Sequence, residues 1–233
     1  MADLSPGALV FDLDGTLVDT SRDLIEAANR VFQTLDLAVR IDPVADRAAG
    51  FNGGRALLEL GFSRLADPSG ATECRDALYA LYLEEYLQHV DRHSQVYEGV
   101  VETLQTLTER GWRLAVCTNK PEKPARMLLA SLGLTGFFDV IIGADTHPFR
   151  KPDPRVYHQT VAALDIPRAA SFMIGDSWTD AQVARQATVP FVLYEPEAPT
   201  DLRQAVEPQC RFACYAALPA LVERLRTQQM EAT

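Results

Sequence analysis

Apolar and polar residues follow two different rhythms along this chain. Toward the C-terminal side, short unbroken apolar runs recur: WRLAVCT (112–118), FFDVIIG (137–143), SFMIGD (171–176) and PFVLY (190–194). Between them lie segments with apolar residues every three or four positions, near 98–110, 121–132, 154–164, 179–187 and 218–227. Strands alternating with amphipathic helices predict βαβ units and a parallel sheet. Runs that are apolar throughout predict a sheet covered on both faces.

Earlier in the chain the rhythm changes. Ala8 to Leu13 predicts a first strand, but from about Asp19 to Gln95 only helical spacing appears, in SRDLIEAANRVFQTL, GRALLELGF and TECRDALYALYLEEYLQHV. LADPSG (65–70) predicts a loop between two of these helices. The expected fold is a three-layer, Rossmann-like α/β core of residues 1–18 and 96–233. A small all-helical domain, 19–95, is inserted after its first strand. Such an insertion leaves from the C-terminal edge of that strand, where open α/β sheets bind ligands, so the helical part is placed as a lid.

Composition narrows the function. The 233 residues are 47% hydrophobic and carry a net charge of −10, enough apolar matter for a large core and the wrong sign for gripping a nucleic-acid backbone. No run is long enough to span a membrane and no charged-then-apolar leader opens the chain, so a cytoplasmic location is expected. Cys74, Cys117, Cys210 and Cys214 lack the spacing of a disulfide scaffold or a zinc site, so reduced thiols are expected. His89 and His93 are four apart on an expected helix, with no third ligand in view, and are assigned to a solvated face. The three lysines, Lys120, Lys123 and Lys151, all fall in one third of the chain.

The candidate chemistry begins at VFDLDGTLVDT (10–20). Asp12 and Asp14, two apart, would share a face of an extended strand at the edge of the core. Asp14-Gly15 is a hairpin signal, yet the return strand would have only Thr16 to Asp19. A calcium loop needs its glycine at the sixth position, and here it stands at the fourth. The remaining reading is a cation site, because buried like charges require a counter-charge. The predicted topology brings Thr118, Lys151, Asp176 and Asp180 to the same rim. Asp12, Asp14 and Asp176 offer hard oxygen ligands for Mg²⁺, with Asp180 supporting from behind. Thr118 and Lys151 are donors suited to phosphoryl oxygens.

In order, FDLDGTLVDT, VCTNK, RKPDP and IGDSWTD resemble the four motifs of haloacid dehalogenase-like hydrolases, and the helical insertion is similar to that family's cap. GADTHPFRKPDPRVY looks most like the phosphoglycolate phosphatase branch. The resemblance implies a phosphatase in which Asp12 is the nucleophile, forming an aspartyl-phosphate, and Asp14 the acid/base. It implies Mg²⁺ on the Asp12 side chain, the Asp14 backbone carbonyl and Asp176. It further implies phosphoryl oxygens bound by Thr118 and the Asn119 backbone, with Lys151 offsetting charge. A small phosphorylated metabolite is the implied partner, 2-phosphoglycolate first, for a monomer or homodimer. In the cap, Arg55 beside the loop GFNGGR (50–55) and Arg22 are the candidate specificity residues; an ordinary surface arginine is the competing reading for each.

Sister activities divide on single residues. A dehalogenase lacks the second aspartate, and a phosphonate hydrolase needs a cap lysine, absent between Asp19 and Gln95. A sugar phosphate mutase, another phosphomonoesterase or a pyrophosphatase shares the motifs. A signalling receiver domain would place its acidic residues in another order. Three departures from the family pattern stand out: Thr188 replaces a usual glycine, YEPEAPT (194–200) has none, and Trp178 is bulky beside the last motif.

Overall fold

The computed structural model describes residues 7–65, 75–196 and 208–231. Most of LADPSG, the end of YEPEAPT, and Cys74 therefore lie outside the described residues. The chain divides into two compact units, Met1–Leu17 with Val96–Thr233, and Val18–Gln95.

The first unit is an α/β fold. Strands β1 (Ala8–Phe11), β4 (Arg113–Cys117), β5 (Val140–Ile142), β6 (Ser171–Gly175), β7 (Phe191–Tyr194) and β8 (Cys210–Phe212) form a six-stranded sheet in the order β5-β4-β1-β6-β7-β8. Every pairing in it is parallel. β1 is central, which is why ALVF is wholly buried. Its alternate residues serve opposite layers. Ala8 and Val10 join the cluster that includes Val156, Tyr157 and Val161 of helix α7 (Pro154–Ala163) and Val183 and Ala184 of α8 (Trp178–Ala187). Phe11 meets Phe138 edge-on with ring centroids 6.3 Å apart. Helices α5 (Val100–Glu109), α6 (Glu122–Ser131) and α9 (Leu218–Glu231) complete the unit.

Two helices beside the site start where their sequences cap them. Asp153 accepts from the Arg155 amide ahead of α7, with Pro154 in the first turn. Ser177 and Asp180 form a reciprocal capping box for α8. At the other end of α8, Thr188 adopts a left-handed conformation at φ 57°, the position where glycine was expected.

The second unit is helical: α1 (Ser21–Thr34), α2 (Arg47–Gly50), α3 (Gly54–Ser63) and α4 (Arg75–Leu87). Two-residue strands, β2 (Val18–Asp19) and β3 (Gln95–Val96), stand at its ends, too short to leave a pattern. GFNGGR is not simply a loop, since Gly50 closes α2 and Gly54 opens α3. A methyl on Gly54 would fall 2.1 Å from the Tyr82 ring, so this glycine is required for close packing. Asp23 is buried within this unit and accepts from the amides of His93 and Ser94 and from the Ser94 hydroxyl, at 2.7 to 3.0 Å. That turn holds His93 beyond the end of α4, and His89 is also past Leu87, so the two histidines do not share a helix.

Among the described residues no helix is long and apolar enough to cross a membrane. Cys117, Cys210 and Cys214 are free thiols. β8 went unpredicted because three residues, CRF, are too few to establish a period.

Candidate active site

β1 is shorter than its apolar run suggested. Its ladder continues one step further, as the Asp12 amide donates to the Ile174 carbonyl at 2.9 Å. The chain then turns back, with the amides of Thr16 and Leu17 donating to the Leu13 carbonyl at 3.3 and 3.0 Å. Asp12 and Asp14 are thus separated by the start of a turn and do not sit on one face of a strand. Gly15 permits that turn with φ 83°, and a methyl there would lie 2.5 Å from Asp176 Oδ2.

Asp12 and Asp14 lie beside different lysines. Lys151 Nζ lies 2.9 Å from Asp12 Oδ1 and 2.6 Å from Asp180 Oδ1. Lys120 Nζ lies 2.8 Å from Asp14 Oδ1. Asp12 Oδ1 also accepts from the Leu13 amide at 2.7 Å. Asp180 accepts on both oxygens, because its second oxygen takes the amide and hydroxyl of Ser177. Asp176 accepts from the Thr16 hydroxyl at 2.7 Å. Carboxylate oxygens of Asp12, Asp176 and Asp180 all lie within 4.8 Å of one another.

The loops after β4 and β5 close the rim. The Thr118 amide donates to the Ile142 carbonyl at 3.0 Å, and the Thr118 hydroxyl accepts from the Lys120 amide at 3.1 Å. The Asn119 side chain donates to the Lys151 carbonyl at 3.1 Å, tying the two loops together. Asp12, Asp14, Thr118, Asn119, Lys151, Asp176 and Asp180 are therefore gathered at one edge, where β4, β1 and β6 are neighbours. Arg22 and Arg55 belong to the helical unit and are engaged there. Arg22 pairs with Glu26 at 3.2 Å, while Arg55 pairs with Asp76 at 3.0 Å and lies over the Tyr79 ring.

Electrostatics sets this edge apart. Burial, reinforced by Asp180, pushes the Asp12 carboxyl up to about 7 against the pull of Lys151. Burial, then Asp12 and Asp180, raises Asp176 well above the usual carboxylate range. Burial alone would lower Lys151, but Asp12 and Asp180 outweigh it and keep the ammonium charged. Four carboxylates thus share two ammonium groups, a deficit that a divalent cation with oxygen ligands would fill. The donor set fits a hard cation, since no sulfur or imidazole is in the cluster.

The sequence model of haloacid dehalogenase-like hydrolases matches residues 9–194. The chain belongs to this family. Among curated proteins, this hydrolase is 34% identical over 223 residues to a phosphoglycolate phosphatase of Mesorhizobium japonicum, covering 95% of this chain and 97% of the relative. It is 42% identical over 194 residues to a phosphoglycolate phosphatase of Caulobacter vibrioides, covering 82% and 80%. A crystal structure of a predicted phosphoglycolate phosphatase from Haemophilus somnus shares its fold, with a TM-score of 0.79 at 20% identity over 94% of this chain and 99% of that one.

Sequence reasoning missed three side chains at this edge. Lys120 carried a faint signal, as one of three lysines and two residues past Thr118. Thr16 and Ser177 lay inside the first and last motifs without an assigned task. Trp178 begins α8 and is 47% exposed, and nothing in the structure explains its size.

Proposed function

We propose that this hydrolase is a Mg²⁺-dependent phosphatase of small phosphate monoesters, with 2-phosphoglycolate as its first substrate. The observation that carries the reaction is the cluster of Asp12, Asp176 and Asp180, of which Asp12 and Asp180 share the ammonium of Lys151. The substrate rests on the relatives named above, each called a phosphoglycolate phosphatase.

Asp12 and Asp176 side chains with the Asp14 carbonyl would hold Mg²⁺, which would screen the repulsion between carboxylate and phosphoryl oxygens. Asp180, already occupied by Lys151 and Ser177, supports the site without being a ligand. An Asp12 oxygen attacks phosphorus as the ester P–O bond breaks, and Asp14 gives its proton to the departing oxygen. Water then attacks the aspartyl-phosphate and passes a proton to Asp14. The P–O bond to Asp12 breaks, releasing phosphate and regenerating the carboxylate. Thr118, the Asn119 amide and Lys151 bind the phosphoryl oxygens, and Lys120 holds Asp14 in place between steps.

The test is phosphate release with Mg²⁺ from phosphoglycolate, sugar phosphates, nucleoside monophosphates and pyrophosphate, with Asp12→Asn as the blank. Phosphoglycolate should give the highest kcat/KM. Release by the blank at the wild-type rate would overturn the mechanism, and a preferred sugar phosphate would overturn the substrate. Arg55→Ala at unchanged KM would remove Arg55 as a selecting residue.

A further inference from the structure

The turn that carries the first motif is tied down by a residue from the far end of the chain. Tyr215 Oη donates to the Thr16 carbonyl at 2.6 Å. The Thr16 hydroxyl in turn donates to Asp176 Oδ1 at 2.7 Å. Both Thr16 and Tyr215 are fully buried. The Tyr215 ring is wedged between Tyr194 and Phe212, with centroids 4.9 and 5.3 Å away, so its hydroxyl is placed by strands β7 and β8. Gly15, next to Thr16, sits against Asp176 so closely that a methyl would collide with the carboxylate. Any shift of this turn therefore disturbs Asp176 twice, through its hydrogen bond and through the wall that limits its rotation.

We propose that Thr16 and Tyr215 are positioning residues for the metal ligand Asp176: Thr16 orients its carboxylate, and Tyr215 holds Thr16 in place. The inference rests on the reading that Asp176 binds Mg²⁺. Hydrogen-bond partners standing behind metal ligands typically change metal affinity by about 10- to 100-fold. Neither residue touches the reacting atoms, and Tyr215 belongs to the segment after β8, outside all four motifs. The segment after the last strand thereby sets the geometry of a ligand just past the end of β6.

The experiment is calorimetric titration of Mg²⁺ into the metal-free full chain, for the wild type, Thr16→Val, Thr16→Ser and Tyr215→Phe, with melting in chelator measured alongside. Thr16→Val should weaken Mg²⁺ binding by about 10-fold or more, and Thr16→Ser, which keeps the hydroxyl, should restore it to within about 3-fold. Tyr215→Phe keeps the packed ring and should weaken binding by about 3- to 10-fold. If Thr16→Val does not fold, Tyr215→Phe alone decides. A wild-type Kd in either folded variant, whatever its melting temperature, would overturn the proposal. If the wild type itself binds no Mg²⁺, it is the assignment of Asp176 as a metal ligand that falls.

Discussion

Two carboxylate arrangements can be set side by side, one in each unit. In the helical unit Asp23 accepts hydrogen bonds from two amides and a hydroxyl. Those donors are neutral and belong to one turn, and they reach both oxygens of the carboxylate. In the α/β unit Asp12, Asp176 and Asp180 crowd together, only Asp12 and Asp180 touching a shared lysine, and burial raises both Asp12 and Asp176. Both arrangements bury charge, yet only the second leaves charge uncompensated. A carboxylate satisfied by backbone amides holds a fold together; an under-neutralised group of carboxylates costs stability that a ligand must offset.

The largest effect expected from this contrast is at Asp12. Asp12→Asn should lower phosphate release by about 1,000-fold or more, as for loss of a nucleophile. In chelator the same variant should be more stable than the wild type, by about 1–3 kcal/mol in urea unfolding, because it removes one of the crowded charges. Asp23→Ala should act in the opposite sense and cost about 2–4 kcal/mol, since it orphans the amides of His93 and Ser94. If both substitutions destabilise, the contrast between the two groups breaks.

Smaller effects sharpen it at places where no buried acid is involved. Thr188→Gly should stabilise by about 1 kcal/mol with activity unchanged, because a β-branched residue pays for φ 57°. The Arg64 side chain beside Asp46 draws that carboxyl down from 3.8 to about 2. A depressed folded value means that the contribution is fully present above about pH 4 and is lost as the pH falls through about 2. Solvent screening keeps it under about 1 kcal/mol. Asp46→Asn should therefore shift the melting temperature slightly at neutral pH, and progressively less as the pH falls through about 2.

Much of the fold was legible because parallel strands buried on both faces write long apolar runs, and because helices write period and caps. Strand ends were less legible. Leu13 looked like strand because it is apolar, but its carbonyl is taken by the turn that follows. β8 was too short to register, and the expected helix through His89 and His93 gave way to the turn built on Asp23. In the site, the motif aspartates, Thr118 and Lys151 were found because each follows a strand, and parallel strands deliver their C-terminal ends to one edge. Lys120 was missed because its partner, Asp14, is 106 positions away and no spacing encodes that pair. Arg55 was singled out as a substrate contact on its charge and its glycines, and the structure shows it paired with Asp76.

By itself the sequence determined which residues are candidates for the chemistry and which strand each follows, since periodicity and motif order are local properties of the chain. Only the tertiary structure decided who partners whom. Lys151 is shared between Asp12 and Asp180, Lys120 is given to Asp14, and Tyr215 reaches Thr16 across 199 positions. The physical reason is that a charge or hydrogen bond depends on distance through space, and only the order of strands in the sheet converts positions along the chain into those distances.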